Sequence, residues 1–231
     1  KGGDSSSNGN GVTYIYIAIR RPMKTPTAGT EVFSPVARTG TGTTAAVTGV
    51  GFSPDLFIGN IRDTAGYWNG VVDRLRGISN RLVSSQTEAE NTQTVITSFD
   101  MDGLSLTSDG NGFANENGKT YIQWLFKRAT GFMDEVVATP SGYAWSNVPH
   151  NLGVTPELLI YKPRASGAWY VMSSALASSN YYMLLNDTAA ATLSGASQYS
   201  ATATTVSFPS MPSNASTVAY LFATLAGVSK V

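Results

Sequence analysis

The sequence predicts an all-β protein made of two tandem antiparallel β-sandwich units of the jelly-roll or lectin-like kind, preceded by the closing strand of another unit. Three observations support this prediction. Turn-forming residues are abundant, with 23 glycines and 10 prolines among 231 residues. Short apolar stretches of alternating polarity lie at roughly 8–12-residue spacing, which is typical of sandwiches and barrels. Several of these stretches recur along the chain.

The clearest recurring stretch is a strand that closes each unit. Asn-Gly-Val-Thr-Tyr-Ile at 10–15 returns as Asn-Gly-Lys-Thr-Tyr-Ile at 117–122, and Leu125-Phe126 returns as Leu221-Phe222. Large apolar residues take every second position in each copy, which indicates a half-buried strand. This face consists of Ile15, Ile17 and Ile19, then Ile122, Trp124 and Phe126, then Val218, Tyr220 and Phe222. We predict that it is the core side of each sandwich and that the opposite face points to water or to a neighbouring unit.

A second recurring stretch defines the units. Gly-Phe-Ser-Pro-Asp-Leu-Phe-Ile at 51–58 matches Gly-Val-Thr-Pro-Glu-Leu-Leu-Ile at 153–160, with a proline where a strand can begin.

Residues 1–11 are rich in Gly, Ser and Asn, so we predict a loose segment with order from about Val12. A start inside a repeat indicates part of a longer chain. The predicted segments are 1–32 (end strand of a preceding repeat and linker), 33–130 (sandwich unit A) and 131–231 (sandwich unit B).

Composition argues against several classes of function. The net charge is zero and only 13% of residues are charged, so no basic excess is present to neutralise nucleic-acid phosphates. The chain has no cysteine, which removes disulfides, thiolate zinc sites and cysteine nucleophiles. The longest apolar run, at 218–228, is shorter than the ~20 residues that a membrane-spanning helix needs. We therefore predict no nucleic-acid partner, no membrane partner and no cofactor.

Acidic pairs are the candidates for hydrolytic chemistry, because glycosidases place two carboxyl groups roughly 5–9 Å apart. The candidates are Glu88 with Glu90, Asp100 with Asp102, and Asp134 with Glu135. The first pair has no counterpart in unit B, so it is either a specialised site or a loop decoration. Arg74 and Arg76 are its predicted ion-pair partners.

Two further patterns have both a structural and a functional interpretation. Asp100-Met101-Asp102-Gly103, with Asp109 beyond it, offers oxygen ligands to Ca²⁺, but Asp-Gly is a common hairpin turn and no EF-hand spacing is present. We favour the turn and predict no metal site. His150 is the only histidine, and we predict a turn residue hydrogen-bonded to backbone instead of a catalytic base.

Aromatic residues are the candidates for ligand binding, because their faces can stack on the apolar side of a sugar. The candidates are Trp145, Tyr67, Trp68, Trp169 and Tyr170. Tyr67-Trp68 and Trp169-Tyr170 occupy matching positions in the two units, which favours core packing over ligand contact. Trp145 has no counterpart in unit A and is the better binding candidate.

Several motifs in a fixed order resemble a known family. They are Gly-Phe-Ser-Pro-Asp-Leu at 51–56, Asp-Arg-Leu-Arg-Gly at 73–77, Ser-Phe-Asp-Met-Asp-Gly at 98–103, Gly-Lys-Thr-Tyr at 118–121 and His-Asn-Leu-Gly-Val-Thr-Pro-Glu at 150–157. The chain resembles, from about Val12 onward, a repeat domain of unknown function found in tail-fibre-like structural proteins of tailed bacteriophages. Unit B departs from the pattern in its middle. The resemblance implies a virion protein with a sandwich fold and implies no known catalytic residues.

Together these observations predict a non-enzymatic bacteriophage structural protein on the exterior of the particle. It would be a tail fibre or a capsid-associated fibre or adhesin that presents binding loops to the host surface. The alternatives are a glycan-degrading tail spike and a head decoration protein that stabilises the capsid. The predicted partners are other virion proteins, further copies of the chain (most readily as a trimer) and a host-surface glycan.

Overall fold

The computed structural model describes residues 13, 23–108, 112–139, 145–193, 199–208 and 215–231. Within these residues the chain forms antiparallel strands, one 3-10 turn (Gly29–Glu31) and no α-helix, so the predicted all-β sandwich class is confirmed. The loose segment predicted at 1–11, the first copy of the closing strand at 13–19 and Asp109 lie outside the described residues, apart from Thr13, which is exposed.

The described residues form nine strands in each half of the chain. The first nine are β1 (Phe33–Thr39), β2 (Ala45–Val47), β3 (Leu56–Ile61), β4 (Gly70–Asp73), β5 (Asn80–Val83), β6 (Asn91–Thr92), β7 (Ile96–Asp100), β8 (Gly103–Leu106) and β9 (Thr120–Phe126). The second nine are β10 (Met133–Ala138), β11 (Trp145–Pro149), β12 (Leu158–Pro163), β13 (Tyr170–Ser173), β14 (Tyr181–Leu184), β15 (Thr192–Leu193), β16 (Ser200–Ala201), β17 (Thr205–Phe208) and β18 (Thr217–Phe222).

Each half contains a six-stranded sheet and a three-stranded sheet. The six-stranded sheets run β1-β9-β3-β4-β5-β6 and β10-β18-β12-β13-β14-β15, and the three-stranded sheets run β2-β8-β7 and β11-β17-β16. Counted from β10, the strand order of the second half is the same as that of the first. In both halves the first strand is an edge strand paired with the last, which also pairs with the third.

The edge strand β1 contains a proline at a position where proline is tolerated. Lys127 N–H donates to the Val32 carbonyl and Gly40 N–H donates to the Lys119 carbonyl, so the even-numbered residues of β1 bond to β9. Pro35 therefore directs its backbone nitrogen, which has no hydrogen, toward the free edge. This arrangement removes a donor that another strand would need in order to pair with β1.

Each half packs its two sheets around its own core. The first core contains Phe57, Val72, Ile96, Leu104, Phe113 and Leu125, all completely buried. The second contains Trp145, Leu159, Tyr161, Met172, Phe208 and Leu221. Both cores draw residues from the large sheet and the small one, which is the packing of a β-sandwich.

A third buried cluster lies between the two large sheets. We define the junction as Val32, Leu56, Val71, Leu82, Ala129, Phe132, Met133, Trp169, Val218 and Tyr220. Leu56, Val71 and Leu82 come from the first large sheet, and Val218 and Tyr220 come from the second. The two sandwiches are therefore joined through the outer faces of their large sheets, and a small apolar cavity of about 60 Å³ is lined by residues of both sheets.

The junction overturns the prediction about the core side of the closing strands. In β9 the buried face is Tyr121, Gln123 and Leu125, whereas the Ile122, Trp124 and Phe126 face is half-buried. In β18 Leu221 belongs to the sandwich core, whereas Tyr220 belongs to the junction. The face of large apolar residues that recurs between copies is therefore directed away from each sandwich core. The physical reason is that the large sheets use part of this face, including Phe126, Val218 and Tyr220, to pack against each other.

Candidate functional site

A buried group of charged residues lies beside the apolar junction, and it begins in the turn that follows β4. The backbone N–H of Arg76 donates to Asp73 Oδ1 at 2.7 Å, and Arg76 Nε donates to Asp73 Oδ2 at 2.6 Å. Neither side chain is exposed. Arg76 Nη1 also donates to Glu90 Oε2 at 2.8 Å. The predicted pairing of Arg76 with Glu90 is therefore confirmed, whereas Arg74 pairs with Asp55 at 3.2 Å.

The second half completes this group with two side chains. Arg164 Nη2 lies 2.5 Å from Glu90 Oε1, and Arg164 Nε donates to the same carboxylate. Tyr220 donates its hydroxyl hydrogen to Asp73 Oδ2 at 2.7 Å. Burial works to raise the pKa of Glu90, but hydrogen bonds from Arg164 and Arg76 outweigh it and hold the pKa below its usual range. Glu90 is thus an ionised bridge between the halves.

Backbone contacts extend the same connection. Lys162 Nζ donates to the carbonyls of Glu88 at 2.9 Å, Pro163 at 2.9 Å and Ala165 at 3.1 Å. Burial, with the neighbouring positive charge of Arg76, lowers the pKa of Lys162 to about 8. Trp169 Nε1 donates to the Val83 carbonyl at 2.7 Å. Two of these bonds connect the halves: Lys162 donates to the Glu88 carbonyl and Trp169 donates to the Val83 carbonyl.

Glu135 is the exception in this otherwise satisfied region. It lies on β10, opposite Tyr220 of β18, and its side chain is 1% exposed. Neither carboxyl oxygen has a hydrogen-bond partner within the described ranges. Burial raises its pKa well above the usual value, and the charges of Asp73 and Asp55 add to the shift, against the weaker influence of Arg128 and Arg76. Burial and the nearby charge of Asp73 therefore both favour the protonated form of Glu135.

Both carboxylates of the predicted pair Asp100 and Asp102 are engaged in structural hydrogen bonds. Asp100 accepts from the hydroxyls of Ser98 at 2.7 Å and Ser105 at 2.8 Å. Asp102 accepts from the backbone N–H groups of Gly49 at 2.9 Å and Gly51 at 2.6 Å. These bonds lower the pKa of Asp102. The favoured interpretation of this stretch as a hairpin turn is correct, because residues 101–102 connect β7 to β8.

The remaining candidates for acid–base or metal chemistry have local partners. Asp134 pairs with Arg128 at 2.6 Å and accepts from the Asn151 N–H. His150 Nδ1 accepts from the Leu152 N–H, and Nε2 lies 3.2 Å from the Thr202 carbonyl, as predicted for a turn residue bonded to backbone. Burial lowers the pKa of His150. Across the part of the chain that the structure describes, no three His, Asp or Glu residues converge as metal ligands would.

The five predicted aromatic ligand contacts are placed very differently. Trp145 is 2% exposed and packs against Phe208 with ring centroids 4.7 Å apart, and Trp169 is 1% exposed and stacks on Tyr220. These positions argue against the predicted binding role of Trp145 and Trp169, because neither ring offers a free face. Tyr170 is half-buried and stacked on Tyr161.

Tyr67 and Trp68 remain at the surface. Tyr67 is half-buried, and Trp68 is 44% exposed in the loop before β4. The core packing that we favoured for the matching pairs therefore holds for Trp169 and not for Trp68. The sequence did not reveal the role of Trp145 either, because the lack of a counterpart in unit A was interpreted as a sign of ligand binding, whereas the ring belongs to the second core.

The described residues line two clefts that bear on ligand binding. The first, of about 470 Å³, is lined by charged side chains that include Lys24, Glu31, Asp55, Arg74 and Lys127. The second, of about 410 Å³, lies at one end of the second sandwich. We call it the serine cleft, and its lining residues are Thr155, Pro156, Ser173, Ser174, Leu176, Ala177, Ser178, Ser179, Tyr199, Ser200 and Ala201. The sequence did not predict the serine cleft, because its members come from three separate stretches of the chain, at 155–156, 173–179 and 199–201.

Comparisons with known proteins add one assignment. No helix within the described ranges is long and apolar enough to cross a membrane. No curated protein and no solved structure matches the chain. A family described as "Domain of unknown function (DUF7483)" matches residues 28–231, a span that includes both sandwiches and the junction. The chain belongs to this family of unknown function.

Proposed function

We propose that the chain is a non-enzymatic structural protein on the exterior of a bacteriophage particle. Its role is that of a tail fibre or a capsid-associated fibre or adhesin, assembled with other virion proteins and with copies of itself, and a trimer is the assembly we propose. The motif order described above supports this proposal. The construction of the molecule supports it too, since one matching family span includes two sandwiches with a common buried junction.

The observation that carries the proposal is the connection between the sandwiches. Trp169, Lys162 and Arg164 of the second half bind carbonyl or carboxylate groups of the first half. Buried apolar residues surround these contacts. A linkage of this kind holds two domains as a stiff unit, because flexing would expose both apolar surface and unpaired polar groups. A stiff unit suits a fibre that must hold its loops away from the particle.

The serine cleft is the surface that we propose for the host glycan. Its hydroxyl groups, from serines such as Ser174 and Ser178, can donate to and accept from sugar hydroxyls. Tyr199, Pro156 and Leu176 supply apolar surface for the C–H side of a sugar ring. None of the described residues that line the cleft is charged, so a neutral glycan fits better than an acidic one.

The first experiment locates the protein on the intact particle. Antibodies against the purified chain, visualised by electron microscopy, should label tail fibres or fibres on the capsid. A label distributed evenly over the shell without fibres would favour the decoration role instead. Labelling only after the particle is broken open would contradict every exterior role.

The second experiment tests host attachment directly. The purified chain should bind host cells and compete with particles for adsorption. Ala177→Trp fills the serine cleft from an exposed position and should abolish this competition. Met101→Trp, at an 87% exposed hairpin turn in the other half, is the control and should compete like the wild type. Release of soluble sugars from host glycan by the wild-type chain would favour the tail-spike alternative.

A further inference from the structure

An exposed apolar surface lies on the large sheet of the second half. We define the β14–β15 strip as Tyr181, Met183, Leu185 and Leu193. Met183 is 41%, Leu185 50% and Leu193 58% exposed, and these values are among the highest for large apolar residues in the described chain. The four side chains share one face, because Tyr181, Met183 and Leu185 alternate along the chain and Leu193 pairs directly with Tyr181.

This strip continues the face that forms the junction. The Leu185 N–H donates to the Trp169 carbonyl, which extends the pairing of β13 with β14 and places Leu185 on the same face as Trp169. Leu185 also lines the small cavity between the large sheets, together with Trp169 and Tyr220. The first large sheet therefore covers only part of the apolar face that the second one presents.

The first large sheet also has an exposed apolar surface, at the edge formed by β1 and β9. We define the β1–β9 strip as Pro35, Ala37, Ile122 and Trp124, in which Pro35 pairs with Trp124 and Ala37 with Ile122. Pro35 and Ala37 are exposed, and Ile122 and Trp124 are half-buried. The strip lies on the same face as Phe33 and Phe126, which pack against the junction. It contains no charged side chain, and neither does the β14–β15 strip.

We propose that the β14–β15 strip of one chain packs against the β1–β9 strip of a second copy. This contact repeats between molecules the sheet-on-sheet packing that joins the two halves within one molecule. A second copy is the favoured occupant, because both apolar surfaces continue an interface that these two sheets already form. Pairing at the β1 edge is hindered by Pro35, which leaves face-to-face packing as the route to assembly.

The two surfaces differ, so the contact is head-to-tail. Such a contact closes into a ring when the rotation permits and otherwise continues as a filament. A ring of three would be the proposed trimer. This inference goes beyond the proposed function, because it concerns assembly and holds whether or not the protein attaches to a host.

The first test measures self-association of the full chain by sedimentation velocity over a range of concentrations. The wild type should form oligomers, and Met183→Glu with Leu193→Asp should weaken association at least tenfold. Met101→Glu places one negative charge at an exposed apolar position outside both strips and should associate like the wild type. Circular dichroism checks that each variant is folded. A wild type that stays monomeric, or a strip variant that associates normally, would overturn the inference and leave host attachment untouched.

The second test identifies the surfaces in contact. The chain has no cysteine, so introduced cysteines report without background. Ala37→Cys and Leu193→Cys proteins, mixed and treated with a short bismaleimide, should yield crosslinked dimers, whereas each variant alone should not. Crosslinking of the Leu193→Cys variant with itself would indicate an isologous contact and contradict the proposal. The proposal would also be contradicted if the Leu193→Cys thiol were protected from maleimide labelling only after another virion protein is added.

Discussion

Two buried carboxyl groups at the junction, those of Asp73 and Glu135, differ in the hydrogen-bond donors that surround them. Asp73 accepts hydrogen bonds from Arg76 and from Tyr220, so its negative charge is compensated although the side chain is fully buried. Glu135 has no such donors among the described residues and is forced toward its neutral form. Two adjacent ionised carboxylates in this position would repel each other strongly, because screening by water is weak there.

The state of Glu135 makes stability depend on pH. The folded chain keeps a proton that the unfolded chain releases above its ordinary pKa of 4.5. The free energy of unfolding should therefore fall as pH rises above that value, by at most about 1.4 kcal/mol per pH unit for one proton. Glu135→Gln removes this titration. In urea unfolding experiments, the free energy of unfolding of the variant relative to that of the wild type should therefore increase with pH.

The control for this prediction is Ser85→Ala, an exposed change in the first half that neither adds nor removes a titratable group. It should leave the pH dependence of the free energy of unfolding unchanged. Parallel pH profiles for the wild type and Glu135→Gln would show instead that Glu135 is ionised in the folded protein.

The buried guanidinium of Arg76 should contribute far more to the free energy of unfolding than the exposed ammonium group of Lys24. Arg76→Leu leaves the buried Asp73 carboxylate without its main partner, and loss of one member of a buried pair costs about 3–5 kcal/mol. Lys24→Leu breaks only the exposed pair with Glu31, and such pairs contribute about 0–1 kcal/mol. Chemical denaturation of both variants measures the difference. A similar loss of stability in the two would contradict the structural role of Arg76.

At the scale of elements, the sequence was sufficient to place the closing strands and insufficient to orient them. Alternation predicted β9 and β18 and showed which residues share a face. It contained no information on what covers each face. Gln123 is a polar residue on the core side of β9, where it is buried and donates to the Ala114 carbonyl. Ala219 occupies the matching face of β18. This variation reflects two cores that are filled differently, and it was misread as solvent exposure.

Paired glycines on β3 and β4 show the close fit of the first core. Gly59 and Gly70 are register partners, and a Cβ at Gly70 would overlap the Phe113 ring. Gly70→Ala should therefore lower the free energy of unfolding by roughly 1–3 kcal/mol. Phe113→Leu should be destabilising alone, but the double variant should be less destabilised than the sum of the two single changes. Strict additivity in thermal or denaturant unfolding would argue against this contact.

At the scale of the whole molecule, the sequence predicted two sandwiches but not the junction between them. Trp169 donates to a carbonyl 86 residues away, and Glu90 binds an arginine 74 residues away. Periodicity reports on neighbours within a strand and has no access to such contacts. The Arg-rich turn at 74–76 and the Tyr67-Trp68 and Trp169-Tyr170 pairs were visible, but only the fold distinguishes Trp169, which is buried, from Trp68, which is exposed.

The junction should make the two sandwiches unfold together. Separation would expose the apolar faces of both large sheets and leave Asp73, Arg76 and Glu90 with fewer partners, so a state with one folded half is unfavourable. We expect a single calorimetric transition in the intact chain, with equal calorimetric and van't Hoff enthalpies. Trp169→Ala should lower the free energy of unfolding by about 3–5 kcal/mol, the range for a buried Trp. Trp68→Ala, at an exposed position in the loop before β4, should have little effect. Two separate transitions in the wild type would mean that the junction does not couple the halves, and the stiff unit on which the fibre proposal depends would be lost.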